Sequence, residues 1–461
     1  MKLASLAGIT VLGMAAFAAA ESLPGGNNRM SIHEWGTFTV LQDEKGNAVG
    51  GVNTDDEPVP DFVHSLDGTL IQNFKHAPNP FSKGVPRCDP SITVRLETPV
   101  LYFHPPVGFG SHIDVDVQFR GGWLTQYYPD AAFSAPGLDK GQFKYNVLTD
   151  RTLGSLSWHN LTLSNSARGP ETADPVWLAP RHVEGADITA KSGESERFIF
   201  YRGVGHVQTP VRVTRIDEGR RLRIQSEPGI SAASVPATSQ AWLVDVRRDG
   251  TIAFRATGGD ARGEAIVDAS FAESEYATDP ADLRKALRAA LTAEGLFGDE
   301  AEALLNTWDA SYFRRAGLRL FYMVPRDWTD SVLPLKVISN GKPLDADIKR
   351  VMVGRIELVT PGQRKSLAEI ARGPASNMGW LTEELNRPHP RNDAPNDNWY
   401  TRMNSGHIPR DIEAKVPADY RAYIALGRFR NALVLDELTR HPTPALKSFV
   451  TAYSVAPSTE K

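Results

Sequence analysis

A single cysteine, Cys88, stands in a chain of 461 residues. An intramolecular disulfide is therefore excluded, and so is a zinc or blue-copper centre built on several thiolates or a Cys/His/Met cluster. Cys88 lies in the loop-like Gly84-Val85-Pro86-Arg87-Cys88-Asp89-Pro90, where a lone thiol is read as a small buried hydrophobe. Charge of one sign is scarce too: 51 Lys and Arg against 55 Asp and Glu give a formal net charge of −4, spread along the chain. Without a basic face there is nothing to set against a phosphate backbone, so nucleic acid is not expected as a partner. Several catalytic signatures are missing as well. The chain has no G-x-S-x-G elbow and no G-x-x-x-x-G-K-[ST] loop, and Gly203-Val204-Gly205 lacks the third glycine of a dinucleotide fingerprint. Serine esterases of the α/β-hydrolase type, nucleotide hydrolases and Rossmann dehydrogenases are set aside, and no nucleotide, haem or flavin is expected. Repeats and low-complexity tracts are lacking, which disfavours solenoids and propellers.

The long apolar run that does occur is at the N-terminus. Lys2 supplies a positive start, Leu3 to Phe17 are apolar or small, and Ala18-Ala19-Ala20 ends in the small-x-small pattern of a signal-peptidase site. Residues 1–20 are predicted to be a signal peptide cut after Ala20. No cysteine follows the run, so lipid attachment there is excluded, and the run is too short to span a bilayer with ease. The expected location is secreted or periplasmic, with no transmembrane anchor after cleavage. The remaining 21–461 suffice for two or three domains.

The fold class predicted is α+β: an antiparallel β-sandwich-like N-terminal part followed by a mixed and helical C-terminal part. In the β-rich region, 21–275, His112 to Phe119 alternates polar and apolar, which places Ile113, Val115, Val117 and Phe119 on one face. Ile92 to Phe103 reads as a strand that Pro99 must bend, break or confine to an edge. Further short strands are expected at 155–163, 197–201, 211–216, 221–225, 241–246 and 251–256, the last two joined by the hairpin turn Arg248-Asp249-Gly250. A mixed segment, 276–365, follows. Thr278 or Asp279 caps a helix starting at Pro280, with Leu283, Leu287, Ala290 and Leu291 on one stripe, and a second helix begins at Asp299 with Leu304, Trp308 and Tyr312 spaced four apart. Strands at 318–324 and 350–359 precede a helix at Thr360-Pro361. The last region, 366–461, reads as helical around a Pro/Asn-rich loop at 386–398, with Tyr420, Ile424, Leu433 and Leu438 in its amphipathic part.

Polar functional groups concentrate early in the chain. His33-Glu34-Trp35-Gly36-Thr37 opens like a zincin motif, but Thr37 stands where a second histidine is required. In a strand, His33 and Trp35 share one face and Glu34 takes the other. His33 and Glu34 are candidates for an acid/base or ligand pair, against the plainer reading of a hydrogen-bonded histidine at the core edge. Asp55, Asp56, Glu57 and His64 form an oxygen-rich stretch with one imidazole, a candidate divalent-cation site for calcium, magnesium or zinc whose spacing is not that of an EF-hand. The competing reading is a solvated acidic turn. Other histidines, among them His76, His104, His112 and His206, are scattered, and strand-borne imidazoles that face inward can converge on one metal. Trp158 with His159, Arg181 with His182, and Arg202 are candidates for contact with a sugar-like or anionic substrate.

The segments Ile32-His33-Glu34-Trp35-Gly36-Thr37-Phe38-Thr39, Glu97 to Phe103, Phe198 to Gly203, Tyr322 to Arg326 and Val353 to Glu357 resemble those of a group of exported bacterial hypothetical proteins over about residues 31–360. That resemblance brings no catalytic residue and no substrate. Two readings stay open: a metal-assisted hydrolase or lyase acting on an extracellular or envelope polymer, and a non-catalytic β-sandwich binding a glycan, polysaccharide or envelope component through Trp123, Tyr127, Tyr128, Trp158 and Trp177. The export reading predicts that N-terminal sequencing of protein recovered from the periplasm or medium of an expressing bacterium starts at Glu21; a start at Met1 would refute it.

Overall fold

The computed structural model describes residues 29–54, 59–66, 81–82, 85–86, 88–109, 112–138, 147–227, 229–230, 240–259, 263–376, 416–453 and 455. The signal segment, Asp55 to Glu57 and the 386–398 loop lie outside them. At the centre run two strands of 13 residues each, Met30–Gln42 and Ala346–Leu358, paired in parallel from Met30 opposite Ala346 to Gln42 opposite Leu358. This pairing departs from the all-antiparallel expectation: a parallel partner must be brought in by a long crossover, so no local turn signal announces it.

Antiparallel neighbours extend the sheet on both sides. Beyond Ala346–Leu358 come Gly317–Met323, Ala241–Val246 and Ile252–Ala256. The last two form the expected hairpin, with Gly250 at φ +87°. On the other side Met30–Gln42 meets Val94–Leu96 and Val100–His104 in turn. These two are the single strand expected at 92–103, interrupted around Pro99, which has no N–H to give to a ladder. Ile199–Gly205, Gly122–Tyr128 and the short His64–Ser65 follow. His112–Arg120 alternates buried and part-exposed as its pattern requires, and pairs with Leu153–Ser164 and Leu335–Ser339. Strands from either side of residue 275 thus share one mixed sheet, and the chain combines it with helices.

Period-2 alternation along Met30–Gln42 sorts its side chains between two environments. Ile32, Phe38 and Val40 join Val115, Val117, Phe119 and Trp158 in one apolar cluster. Trp35 turns to a second, completed by Leu283, Leu287, Leu291, Leu304 and Trp308 of the helices Ala281–Ala293 and Gly298–Thr307. A third joins Leu41 and Trp123 to Ile424, Leu433 and Phe449 of the helices Ala418–Ala425, Arg430–Arg440 and Pro444–Ala452. Each fully buried leucine in these clusters contributes about 1.5–3 kcal/mol.

The helices begin where their caps dictate. Thr360 Oγ1 accepts from the Gln363 N–H at 3.2 Å at the head of Pro361–Ile370, whereas Ala281–Ala293 starts one residue later than expected, with Pro280 at its N-cap position and the preceding Asp279 carboxylate accepting from the Ala281 N–H at 3.0 Å. A helix at Pro175–Arg181 was not expected, although its signal is present: Asp174 accepts from the Val176 N–H at 3.0 Å and Pro175 occupies the first turn. No described helix is long and apolar enough to cross a membrane.

Gly203 shows how tightly the sheet is closed. It sits at a register shift against Gly122–Tyr128, and a Cβ there would lie 2.1 Å from the Trp123 carbonyl oxygen, a backbone atom with no freedom to retreat. Gly203→Ala is expected to destabilise the fold by about 1–3 kcal/mol, the usual cost of overpacking, measured as a lowered urea midpoint; an unchanged midpoint would contradict this packing.

Candidate functional site

Three side chains remote in sequence converge beside the start of the central strand. His33 lies opposite Tyr102, and Ser31 opposite His104, so His33 and His104 are diagonal neighbours on one face of an antiparallel pair, with ring centroids 5.0 Å apart. Glu300, in the first turn of Gly298–Thr307, completes the group. One carboxylate oxygen lies 2.7 Å from His33 Nδ1 and the other 3.2 Å from His104 Nε2. The same carboxylate accepts from the Phe297 N–H at 2.7 Å, which anchors it to the helix start. The Phe297 ring covers both imidazoles, at 4.5 Å from His33 and 5.1 Å from His104.

The three donor atoms lie within 4.8 Å of one another, and this is the metal-competent His/Cys/Asp/Glu group among the described residues. His33 and Glu300 are buried, whereas 17% of the His104 side chain is exposed. Burial disfavours the charged form of Glu300, but hydrogen bonds from His104 and His33 outweigh it and hold the carboxyl below its ordinary range. Burial, reinforced by the Glu300 charge, drives the neighbouring Tyr102 phenol well above its usual value. Two imidazoles and one carboxylate are the donor set of an open zinc site.

Glu34 takes no part in this cluster. As strand alternation requires, it points to the opposite face, where its carboxylate accepts from Arg350 Nε at 2.6 Å and from the Tyr201 hydroxyl. Arg350 also donates to Asp330 at 2.8 Å. Despite its burial, the Arg350 guanidinium is held firmly in its charged form, chiefly by Glu34. Burial and the Glu34 charge push the Tyr201 phenol far up. His33 and Glu34 are therefore neighbours in sequence that the sheet separates.

The other expected site residues are dispersed. Asp55, Asp56 and Glu57 lie outside the described residues, and His64 bonds Glu194 at 2.9 Å while stacking on Tyr127. Trp158 is 1% exposed with its indole N–H donating to the Pro129 carbonyl at 2.9 Å. The companion aromatics Trp123, Tyr127, Tyr128 and Trp177 are buried likewise, so the expected sugar-stacking strip is core. His159 and His182 are exposed, the first beside a strand irregularity and the second at the end of Pro175–Arg181. Arg181 Nε donates to Glu196 at 3.0 Å, and the buried Arg202 donates to Gln126. Of these candidates that lie among the described residues, His33 alone belongs to the cluster. His104 was visible as one of several strand-borne histidines, whereas Glu300 offered only the signal of an acidic residue in a helical first turn, which ordinarily serves the helix dipole.

No protein-family model matches the chain, and no curated protein does either. A similar solved structure is the yeast delta-COP-I mu-homology domain complexed with a Dsl1 WxWxV peptide, 10% identical, covering 73% of this chain and 100% of that one with a TM-score of 0.22. At that score the likeness carries no argument about fold or activity.

The Glu34–Arg350 pair yields a stability test. Arg350→Met leaves a buried carboxylate without its charged partner and is expected to cost about 3–5 kcal/mol in urea unfolding, much of it recovered by adding Glu34→Gln. A single variant as stable as the wild type would show that the pair contributes nothing.

Proposed function

We propose that His33, His104 and Glu300 hold a divalent cation, and that the protein is an exported metal-assisted hydrolase or lyase acting on an extracellular or envelope polymer. The observation that carries this reading is the convergence of two imidazole nitrogens and a carboxylate within 4.8 Å at a place where His104 reaches the surface. Each imidazole already reaches one oxygen of the carboxylate, His33 Nδ1 at 2.7 Å and His104 Nε2 at 3.2 Å, so an ion bound between them would take the place of these hydrogen bonds. Imidazole nitrogens favour zinc over calcium or magnesium, which prefer all-oxygen shells. Three protein ligands would leave one position for water or substrate, and a zinc ion there would supply Lewis acidity and an activated water.

The protein's own contribution is orientation. Ser31 Oγ, 3.1 Å from His33 Nε2, and the Phe297 N–H on Glu300 fix the ring and the carboxylate before any ion arrives. Phe297 excludes water from one side. Glu34 has no role in this chemistry because it lies across the sheet. Asp299, exposed and next to Glu300 in the chain, is the carboxylate we assign to proton transfer; it accepts from the Glu184 N–H at 2.9 Å. We also read the strands His112–Arg120 and Leu153–Ser164 as the second layer of a β-sandwich, since Val115, Val117 and Trp158 share a cluster with Ile32 and Phe38.

The test is metal analysis of the processed, purified protein together with its thermal unfolding. About one zinc per chain is expected, with stabilisation of about 2.7 kcal/mol at a free zinc concentration a hundred times Kd. His104→Ala and Glu300→Gln are expected to abolish both the stoichiometry and the stabilisation, and chelation to abolish polymer cleavage. Zinc that neither binds nor shifts the unfolding of the wild type would overturn the proposal.

A further inference from the structure

At the other end of the central strand the structure carries a second site of opposite character. Leu41 lies eight positions along from His33, roughly 26 Å at the rise of an extended strand. There the ends of Ala241–Val246 and Ala346–Leu358 and the start of Gly317–Met323 meet the turn between Ala418–Ala425 and Arg430–Arg440, enclosing a cavity of about 290 Å³. Arg247, Arg248, Arg315 and Arg428 line it, against two carboxylates, Asp245 and Glu357; Arg247 is also paired with Glu273 at 2.6 Å and Arg428 with Glu97 at 3.0 Å. Both carboxylates are engaged: Asp245 accepts from the Tyr276 hydroxyl at 2.6 Å, and Glu357 accepts from Arg355 Nε at 2.7 Å.

More positive charge stands behind the wall. Arg319 is fully buried, ion-paired to Glu357 at 3.2 Å, and donates to the Ser311 and Tyr312 carbonyls at 3.0 Å. Burial drives its pKa down to about 9, with Glu357 opposing the drop and the Arg355, Arg428 and Arg315 guanidiniums adding to it. Gly317, at φ +146°, keeps this wall close, since a Cβ there would lie 3.0 Å from Arg319 Nη2 and 3.2 Å from a Glu357 oxygen. The helix Pro361–Ile370 turns its N-terminal end to the same cavity through Thr360 and Gln363, adding the positive end of its dipole. Leu318 and Phe429 give the cavity an apolar side.

We propose that this cavity binds a small organic oxyanion, a carboxylate or phosphate ester carried on an apolar body. Guanidinium forks match either head group with paired N–H donors, and the apolar side accepts the remainder of the molecule. The volume sits at the lower end of small-molecule pockets, which suits a single ring or short chain. The site is separate from the metal cluster, and its occupancy does not depend on the reading of that cluster. Arg248 suits a test because it is exposed and donates to a neutral acceptor, the Ala425 carbonyl at 3.3 Å, so replacing it strands no buried carboxylate.

Isothermal titration of the full processed protein with benzoate, phenyl phosphate and benzyl alcohol decides the matter. Saturable one-site binding of at least one anion is expected, with none for the neutral alcohol, and the stronger anion identifies the head group. Arg248→Gln and Arg315→Gln should each weaken that binding about tenfold or more, as expected for loss of a charge-assisted hydrogen bond. Arg221→Gln, on the separate three-stranded sheet, should leave it unchanged. Absence of saturable binding by both anions, equal binding of benzyl alcohol, or an affinity unaffected by both lining variants would overturn the proposal.

Discussion

The parallel register of Met30–Gln42 on Ala346–Leu358 is the constraint on which the rest depends. It sets Glu34 opposite Arg350, and the ion pair they make is buried on both sides. A slip of one residue would put Arg350 on the helical face and leave Glu34 charged and alone in the apolar cluster, a penalty of several kcal/mol. Hydrophobic alternation alone distinguishes the two faces of a strand but tolerates a slip of two residues. A buried charge pair does not, and here it pins the register.

From that register follow the two proposed sites, of contrary character, at the two ends of one strand. At the start, His33 and His104 share a face and meet the carboxylate of Glu300, giving a donor set suited to a cation. At the far end, Leu41 and Glu357 border a cavity in which four arginines stand, suited to an anion. Both sites lie where the central sheet meets helices. A sheet end exposes strand termini and loops, and the packed helices supply a wall and the first or last turns whose polar groups are not used up in the helix ladder.

Buried charge is unusually concentrated in this sheet. Arg95, Arg319 and Arg355 are all at most 1% exposed, and each is ion-paired with a glutamate: Arg319 and Arg355 with Glu357 of Ala346–Leu358, and Arg95 with Glu97 just past the end of Val94–Leu96. Such pairs contribute little net stability compared with apolar substitutes, because desolvation offsets their attraction. Their effect is specificity: each demands one partner in one geometry, and together they admit one arrangement of strands and C-terminal helices, to which Arg428 adds its bond to Glu97 at 3.0 Å.

Much of the local architecture was legible in the chain. The strand His112–Arg120, the hairpin around Gly250, the interruption at Pro99 and the helix stripe of Leu283, Leu287 and Leu291 all follow from alternation, turn chemistry and capping, which act within a dozen residues. The division of His33 and Glu34 between two faces was legible for the same reason. What only the tertiary structure decided is which remote groups meet. Glu300 lies 267 positions from His33 and Arg350 lies 316 from Glu34, and such contacts are set by a long crossover and by helix packing, whose geometry no local pattern encodes. The sequence by itself thus determined the elements and the faces of their side chains. The chemistry waited on the fold, because a binding site is a coincidence in space of residues that have no periodicity linking them in the chain.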